Sequence, residues 1–151
     1  MKNIFEIINF KKIKKNEINK FNNIFHLYIC EITNQKRLKK NYFNLFNRNL
    51  KIFFIKKNNI TIGLITFYLN KFQKVKSNNV YIRDFYIKER YRKNRLGKLS
   101  IDKIIKTYSK KKFLNFKIEI IRSNYKIICF WKSLGFKKNK SSFIKKINDS
   151  N

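Results

Sequence analysis

The sequence has no proline, three glycines, one histidine and two cysteines among its 151 residues. Without proline, or stretches rich in glycine and serine, nothing divides the chain. No internal repeat is visible, and residues 1–151 read as one domain, long enough to bury a real core. The cysteines, Cys30 and Cys129, lie in apolar helical contexts. They read as buried thiols of a reducing compartment rather than as a disulfide. The single histidine, His26, falls within a helical pattern, where a structural role outweighs a catalytic one. No Cys/His cluster has ligand spacing, so no metal is expected. The longest apolar run, residues 60–69, is interrupted by Thr61, Gly63 and Thr66. It is too short to cross a bilayer and suits a buried strand. The first fifteen residues lack a long apolar stretch and a small-residue cleavage site, which argues against a secretory signal. A cytoplasmic location with no membrane partner is expected.

Acidic residues are also scarce: eight, against 38 Lys and Arg, for a net charge of +30. Hydrophobic residues make up 43%, which argues against disorder. The charge is spread along the chain with no basic tail. It accompanies an excess of Asn, Ile and Phe, residues with A- and T-rich codons. Nucleic acid is therefore expected to bind only non-specifically. The same charge attracts anionic cofactors and repels polyamines.

Periodicity predicts a strand at 2–10, then a helix from Asn16, its N-cap, to Thr33, with Ile18, Phe21, Phe25, Tyr28, Ile29 and Ile32 at helical spacing. A second helix is predicted over Gln35–Phe46. Strands at Leu50–Ile55 and Ile60–Leu69 flank a hairpin turn at residues 56–59. Val80–Ile87 is a further strand, and the basic turn Lys88–Arg95 leads into a helix over Leu96–Ser109. Phe113–Ile121 alternates as a half-buried strand. Asn124–Ser133 is a short helix with Gly135 placed to end it, and Phe136–Ile147 closes the chain as a hairpin partner. The order β-α-α-β-β-β-α-β-α-β indicates an α+β fold with a central mixed sheet flanked by helices.

The segment richest in chemistry is Val80–Lys98. A strand runs into a short basic loop that becomes a helix N-terminus, where free N–H groups and the helix dipole favour phosphate. Gly97 lets backbone approach an oxygen, and Arg90, Arg92, Lys93, Arg95 and Lys98 add positive charge.

Arg92-x-x-Arg95-x-Gly97 resembles the pyrophosphate loop, Q/R-x-x-G-x-G/A, of the GNAT superfamily of acyl-CoA N-acyltransferases. Asp84-Phe85-Tyr86-Ile87 resembles that family's acyl-CoA-binding strand. Asn124-x-x-Ile127-x-x-Phe130-Trp131-x-x-x-Gly135-Phe136 is similar to its second motif, and Gly63 also falls on a family position. The match covers about residues 50–140. The resemblance implies one GNAT domain with acyl-CoA between splayed central strands, and acetyl transfer from acetyl-CoA to an amine, with the protein a monomer or homodimer. It implies a cofactor site of Phe85, Tyr86, Ile87, Arg92, Lys93, Asn94, Arg95, Leu96, Gly97, Lys98, Asn124, Phe130 and Trp131. The Ile87 amide would polarise the thioester carbonyl, and Asn124 would bond the pantetheine arm, though a plain N-cap also explains it.

Three positions depart from the family pattern. Arg95 stands at the loop's usual first glycine. Trp131 replaces the frequent tyrosine acid, and an indole N–H cannot usefully protonate a thiolate. Arg83 stands where polyamine-acetylating relatives have glutamate, which argues against a polyamine acceptor. Asp84, the single carboxylate on its strand, either accepts the amine's proton or pairs with Arg83 or a lysine. Glu119 and Glu89 read as surface partners. Tyr86, Tyr91 and Tyr125 flank the site as alternative acids or as packing aromatics. The competing reading is a binding module: a catalytically degenerate GNAT domain, or a basic nucleic-acid-binding protein.

Overall fold

A computed structural model describes residues 8–34, 41–46, 48–70, 78–120 and 124–148. Seven strands form one sheet: β1 (Ile8–Lys12), β2 (Lys51–Lys57), β3 (Ile60–Asn70), β4 (Asn78–Ile87), β5 (Phe113–Glu119), β6 (Lys137–Asn139) and β7 (Ser142–Lys146). Their spatial order is β1-β2-β3-β4-β5-β7-β6. Only the β4–β5 pair at the centre is parallel. The helices are α1 (Ile18–Thr33), α2 (Leu96–Ser109) and α3 (Tyr125–Ser133).

Several expectations shift. The first strand begins at Ile8, and the earlier part of its predicted range lies outside the described residues. Asn16 is not a cap. It lies in a 3-10 turn, Lys15–Glu17, and α1 starts from Glu17 without a side-chain cap. Burial of Phe21, Ile24 and Phe25 on one face holds this helix instead. Asn34, in the left-handed region at φ 55°, closes α1 by donating its N–H to the Cys30 carbonyl. Of the predicted second helix, residues 35–40 lie outside the described residues, and Tyr42–Leu45 forms a single 3-10 turn. The hairpin turn narrows to Asn58-Asn59, both with positive φ, which matches the twist of the flanking strands.

Hydrophobic residues gather into two clusters. The smaller joins Phe21, Ile24 and Phe25 of α1 to Tyr42, Phe54, Leu64 and Tyr86. The larger includes Val80, Ile82 and Ile87 of β4, Ile101, Ile104 and Ile105 of α2, and Trp131 and Leu134 of α3.

Strand β4 serves both clusters because of a bulge. Thr66 of β3 pairs with Asp84, but the next residue, Phe67, pairs with Ile82, so Arg83 is extra. One inserted residue reverses the inward set. Val80 and Ile82 join the larger cluster before the bulge, and Phe85 and Ile87 after it. Asp84 and Tyr86 are thereby turned toward α1.

Candidate active site

The β4–β5 pairing runs only from Asn78–Phe113 to Ile82–Ile118. Beyond Ile82, β4 continues for five residues with no β5 partner among the described residues, and the two parallel strands part there. The backbone of that free edge is aimed. Gly63 lies opposite Ile87, and the Lys88 N–H donates to the Ile62 carbonyl at 2.9 Å. That bond makes Gly63–Ile87 a non-hydrogen-bonded pair, so the Ile87 N–H and C=O leave the edge away from β3. The continuous register puts Phe85 in the same state. Two peptide N–H groups thus face the gap between the central strands. Gly63 is needed here: a Cβ on it would run into the Tyr86 carbonyl.

The loop after β4 forms a 3-10 turn, Glu89–Tyr91, and then twists through Lys93 (φ 63°) and Arg95 (φ 58°) into α2. Arg95, the position where the family pattern has glycine, is in the left-handed region, at a cost of about 1–2 kcal/mol for a non-glycine residue. That conformation leaves the N–H groups of Leu96, Gly97 and Lys98 without helical acceptors at the positive end of α2. Lys93, Asn94, Arg95 and Lys98 are exposed, while Leu96 is buried. A Cβ on Gly97 would stand 3.3 Å from the Phe130 ring and 3.8 Å from Phe85. The close approach that requires glycine is therefore to an aromatic ring.

Across the gap, α3 is capped by Asn124, whose Oδ1 accepts from the N–H of Lys126 at 2.8 Å and of Ile127 at 3.3 Å. The amide nitrogen of Asn124 is not used in this cap. Phe130 stacks on Phe85 with ring centroids 5.9 Å apart. Trp131 is buried among Phe85, Phe130 and Phe136. Its ring is part of the core.

On the α1 side, Asp84 is buried. Burial raises its carboxyl above the usual carboxylate range, and hydrogen bonds from Thr66 and Tyr28, with the Arg83 charge, only partly offset this. Thr66 Oγ1 donates at 2.5 Å, and Arg83 Nε lies 3.7 Å away. Burial, and next the Asp84 charge, push Tyr28 upward. Tyr86 is pushed up to about 12 by burial and by its bond to Glu31. Arg92 does not extend toward the α2 N-terminus. Its Nε–H donates to the Ile87 carbonyl at 2.8 Å, and Nη2 donates to both Glu31 oxygens, at 2.8 and 2.7 Å.

A strand pair that opens at its centre, with peptide donors on the free edge and a basic left-handed loop entering a helix, is the frame that the sequence motifs required. The family model for the acetyltransferase (GNAT) family matches residues 18–136. The chain belongs to the GNAT acetyltransferase family. Solved structures agree on the fold of this GNAT protein. An acetyltransferase from Thermus thermophilus superposes with a TM-score of 0.74 at 12% identity, covering 93% of this chain and 97% of that one. An aminoglycoside acetyltransferase from an uncultured soil metagenomic sample, in complex with sisomicin, gives 0.69 at 16% identity, with 91% and 94% covered. PaiA N-acetyltransferase from Thermoplasma acidophilum, in complex with coenzyme A, gives 0.62 at 19% identity, with 92% and 98% covered. No curated protein matches the sequence significantly.

Sequence reasoning missed Tyr28, Glu31 and Thr66 in this GNAT site. Tyr28 and Glu31 share an α1 face at i, i+3 spacing, a weak signal without the partner strand. His26 donates to or accepts from Tyr42 Oη at 3.1 Å and lies 3.5 Å from Cys30 Sγ, away from the gap. Both cysteines are free thiols. Glu119 pairs with Lys117 at 3.6 Å. Among the described residues, no group of three His, Cys, Asp or Glu side chains could hold a metal, and no helix is long and apolar enough to cross a membrane.

Proposed function

We propose that this GNAT domain transfers an acetyl group from acetyl-CoA to a primary amine. The observation that carries the reading is the unpaired edge of β4, where the Phe85 and Ile87 N–H groups face the opening to β5. The residues present fit an acyl-CoA. The N–H groups of Leu96, Gly97 and Lys98 would take the pyrophosphate, with positive charge from Lys93, Arg95 and Lys98 around it. Phe85 and Ile87 would hold the pantetheine arm through backbone groups, while the Tyr86 backbone is taken up by its pairing with Leu64. Asn124, whose Oδ1 caps α3, would donate its free amide from the other wall, beside Phe130.

The donor supplies an activated thioester carbonyl. The Ile87 N–H would polarise that carbonyl and take up the charge that develops on its oxygen. The gap would hold amine and carbonyl in line, so positioning supplies much of the acceleration. Asp84, turned toward α1 by the Arg83 bulge, would accept the proton lost as the N–C bond forms and the C–S bond breaks. Burial pushes its carboxyl upward, which makes it a stronger proton acceptor than an exposed carboxylate. With Trp131 in the core, solvent would return a proton to the leaving thiolate. The whole chain would act as a single domain in the cytoplasm, and nucleic acid would bind only through non-specific charge.

A domain that binds the donor without turning it over is the second reading, and the buried Trp131 favours it. Thiol release from acetyl-CoA separates the two. The panel would comprise a peptide with a free N-terminus, a lysine peptide, an aminoglycoside and spermidine. At least one class should accelerate release above the acceptor-free rate, with spermidine the poorest because the protein carries +30. Donor binding with no acceleration by any class would favour the second reading.

A further inference from the structure

Arg92 opens the basic loop, yet its guanidinium is committed on three sides. Its Nε–H donates to the Ile87 carbonyl at 2.8 Å. Its Nη2 donates to both oxygens of Glu31 on α1, at 2.8 and 2.7 Å. Its flat face covers the Tyr86 ring at 5.3 Å, and the Tyr86 hydroxyl donates to Glu31 Oε1 at 3.0 Å. Both charged side chains are about two-fifths exposed, at 39% and 42%, and such a pair adds little stability. What the planar guanidinium fork supplies is direction.

Ile87 needs that direction. Each end of an ordinary sheet peptide is fixed by a neighbouring strand. On the edge of β4 facing the gap, β5 has departed after Ile82. The Arg92 Nε–H takes the place of the missing strand as donor to the Ile87 carbonyl. In an extended strand the C=O and N–H of one residue leave the same edge. The carbonyl belongs to the Ile87–Lys88 peptide and the N–H to the Tyr86–Ile87 peptide, so holding the carbonyl acts on the N–H by fixing the Ile87 ψ and with it the line of the strand edge.

We propose that Glu31 and Arg92 form a strut that fixes the Ile87 carbonyl and so steadies the strand edge that carries the Ile87 N–H. Glu31, remote from the phosphate loop, is then a positioning residue for acyl transfer; this rests on the acyl-CoA reading above. The strut starts on α1, whose Tyr28 bonds Asp84.

The test uses the full chain, labelled for NMR, as wild type, Glu31→Gln, Arg92→Lys and the charge-swapped double Glu31→Arg/Arg92→Glu. The readouts are the Ile87 carbonyl and amide chemical shifts, amide exchange at Lys88, the melting temperature, and CoA affinity by calorimetry. Each single variant should shift the Ile87 signals and speed exchange of the Lys88 amide, which shares a peptide with the Ile87 carbonyl, about tenfold. CoA affinity should change by less than about threefold, because backbone donors at α2 hold the phosphates. The swap restores the ion pair but should not restore the Ile87 signals, since glutamate has no N–H to give the carbonyl. Unchanged Ile87 signals in Glu31→Gln would overturn the strut, as would their rescue by the swap. So would a loss of CoA binding in Arg92→Lys that Glu31→Gln does not share. A wild-type protein that fails to bind CoA would instead overturn the acyl-CoA reading, and with it the part of Glu31 in transfer.

Discussion

Thr66 and Asp84 face each other across the β3–β4 pair, and the Thr66 hydroxyl donates to Asp84 Oδ2 at 2.5 Å. Asp84 comes to face the same side as Thr66 because Arg83 is looped out of register. A carboxylate is thus buried at the open end of the sheet, with a hydroxyl partner, a tyrosine and a neighbouring arginine.

Replacing Asp84 by Asn should stabilise the protein at neutral pH and remove turnover. Burial places the folded-state pKa of Asp84 above its ordinary value of 3.8. Between those two values the folded chain holds more protons than the unfolded chain, so stability falls as pH rises through the window and stays lower above it. Asn carries no charge to desolvate, so its melting temperature should exceed that of wild type at pH 7 and converge with it in acid. Acetyl transfer should fall by about 10²-fold or more. A melting temperature lowered equally at both pH values would show that the carboxylate is structural.

Gly63→Ala should destabilise by about 1–3 kcal/mol, the usual cost of forcing an atom into packed backbone. The added Cβ meets the Tyr86 carbonyl, and relief requires β3 and β4 to move apart. Denaturant titration would show a lower midpoint at unchanged slope. Wild-type stability would mean that β3 can shift without cost.

Arg95→Gly should stabilise by about 1 kcal/mol or less, since relief of the left-handed strain is partly offset by added unfolded-state entropy. It should keep CoA affinity within about threefold if the N–H groups at the α2 N-terminus carry the phosphates. A tenfold loss by calorimetry would assign the Arg95 side chain to the ligand.

Trp131→Ala should cost about 3–5 kcal/mol, because it empties a core site against Phe85, Phe130 and Phe136. Trp131→Phe should cost much less and leave the rate per folded molecule unchanged. A specific loss of turnover in a stable Trp131→Phe protein would give the indole a chemical role.

The local elements were legible because local chemistry decides them. Leu96–Ser109 shows its helical stripe, Asn58-Asn59 is a hairpin turn, and Gly135, at φ 82°, ends α3 as its type predicts. The α+β sheet and the order of motifs could also be read. The Arg83 bulge left a trace that periodicity alone did not reveal. Apolar positions run 80 and 82 and then 85 and 87, a change of phase across Arg83-Asp84. The duty of Arg92 was hidden, because its partner Glu31 lies 61 residues earlier and nothing local couples them. Thr66 read as an interruption in an apolar run, and only the strand register gives it Asp84. The sequence located the loop, while tertiary contacts decide which of its side chains remain free for an anion.

The central claim is that directed backbone donors at one helix N-terminus bind acyl-CoA, and the most direct test is a calorimetric titration of the folded protein with acetyl-CoA at two salt concentrations, alongside Gly97→Val. Non-specific attraction to +30 would collapse with salt, whereas directed hydrogen bonds decline gently. The account predicts saturable binding of one equivalent that persists at the higher salt. Binding should weaken in Gly97→Val, whose side chain crowds the Phe130 ring. No heat at millimolar acetyl-CoA, or binding that collapses at the higher salt, would contradict it.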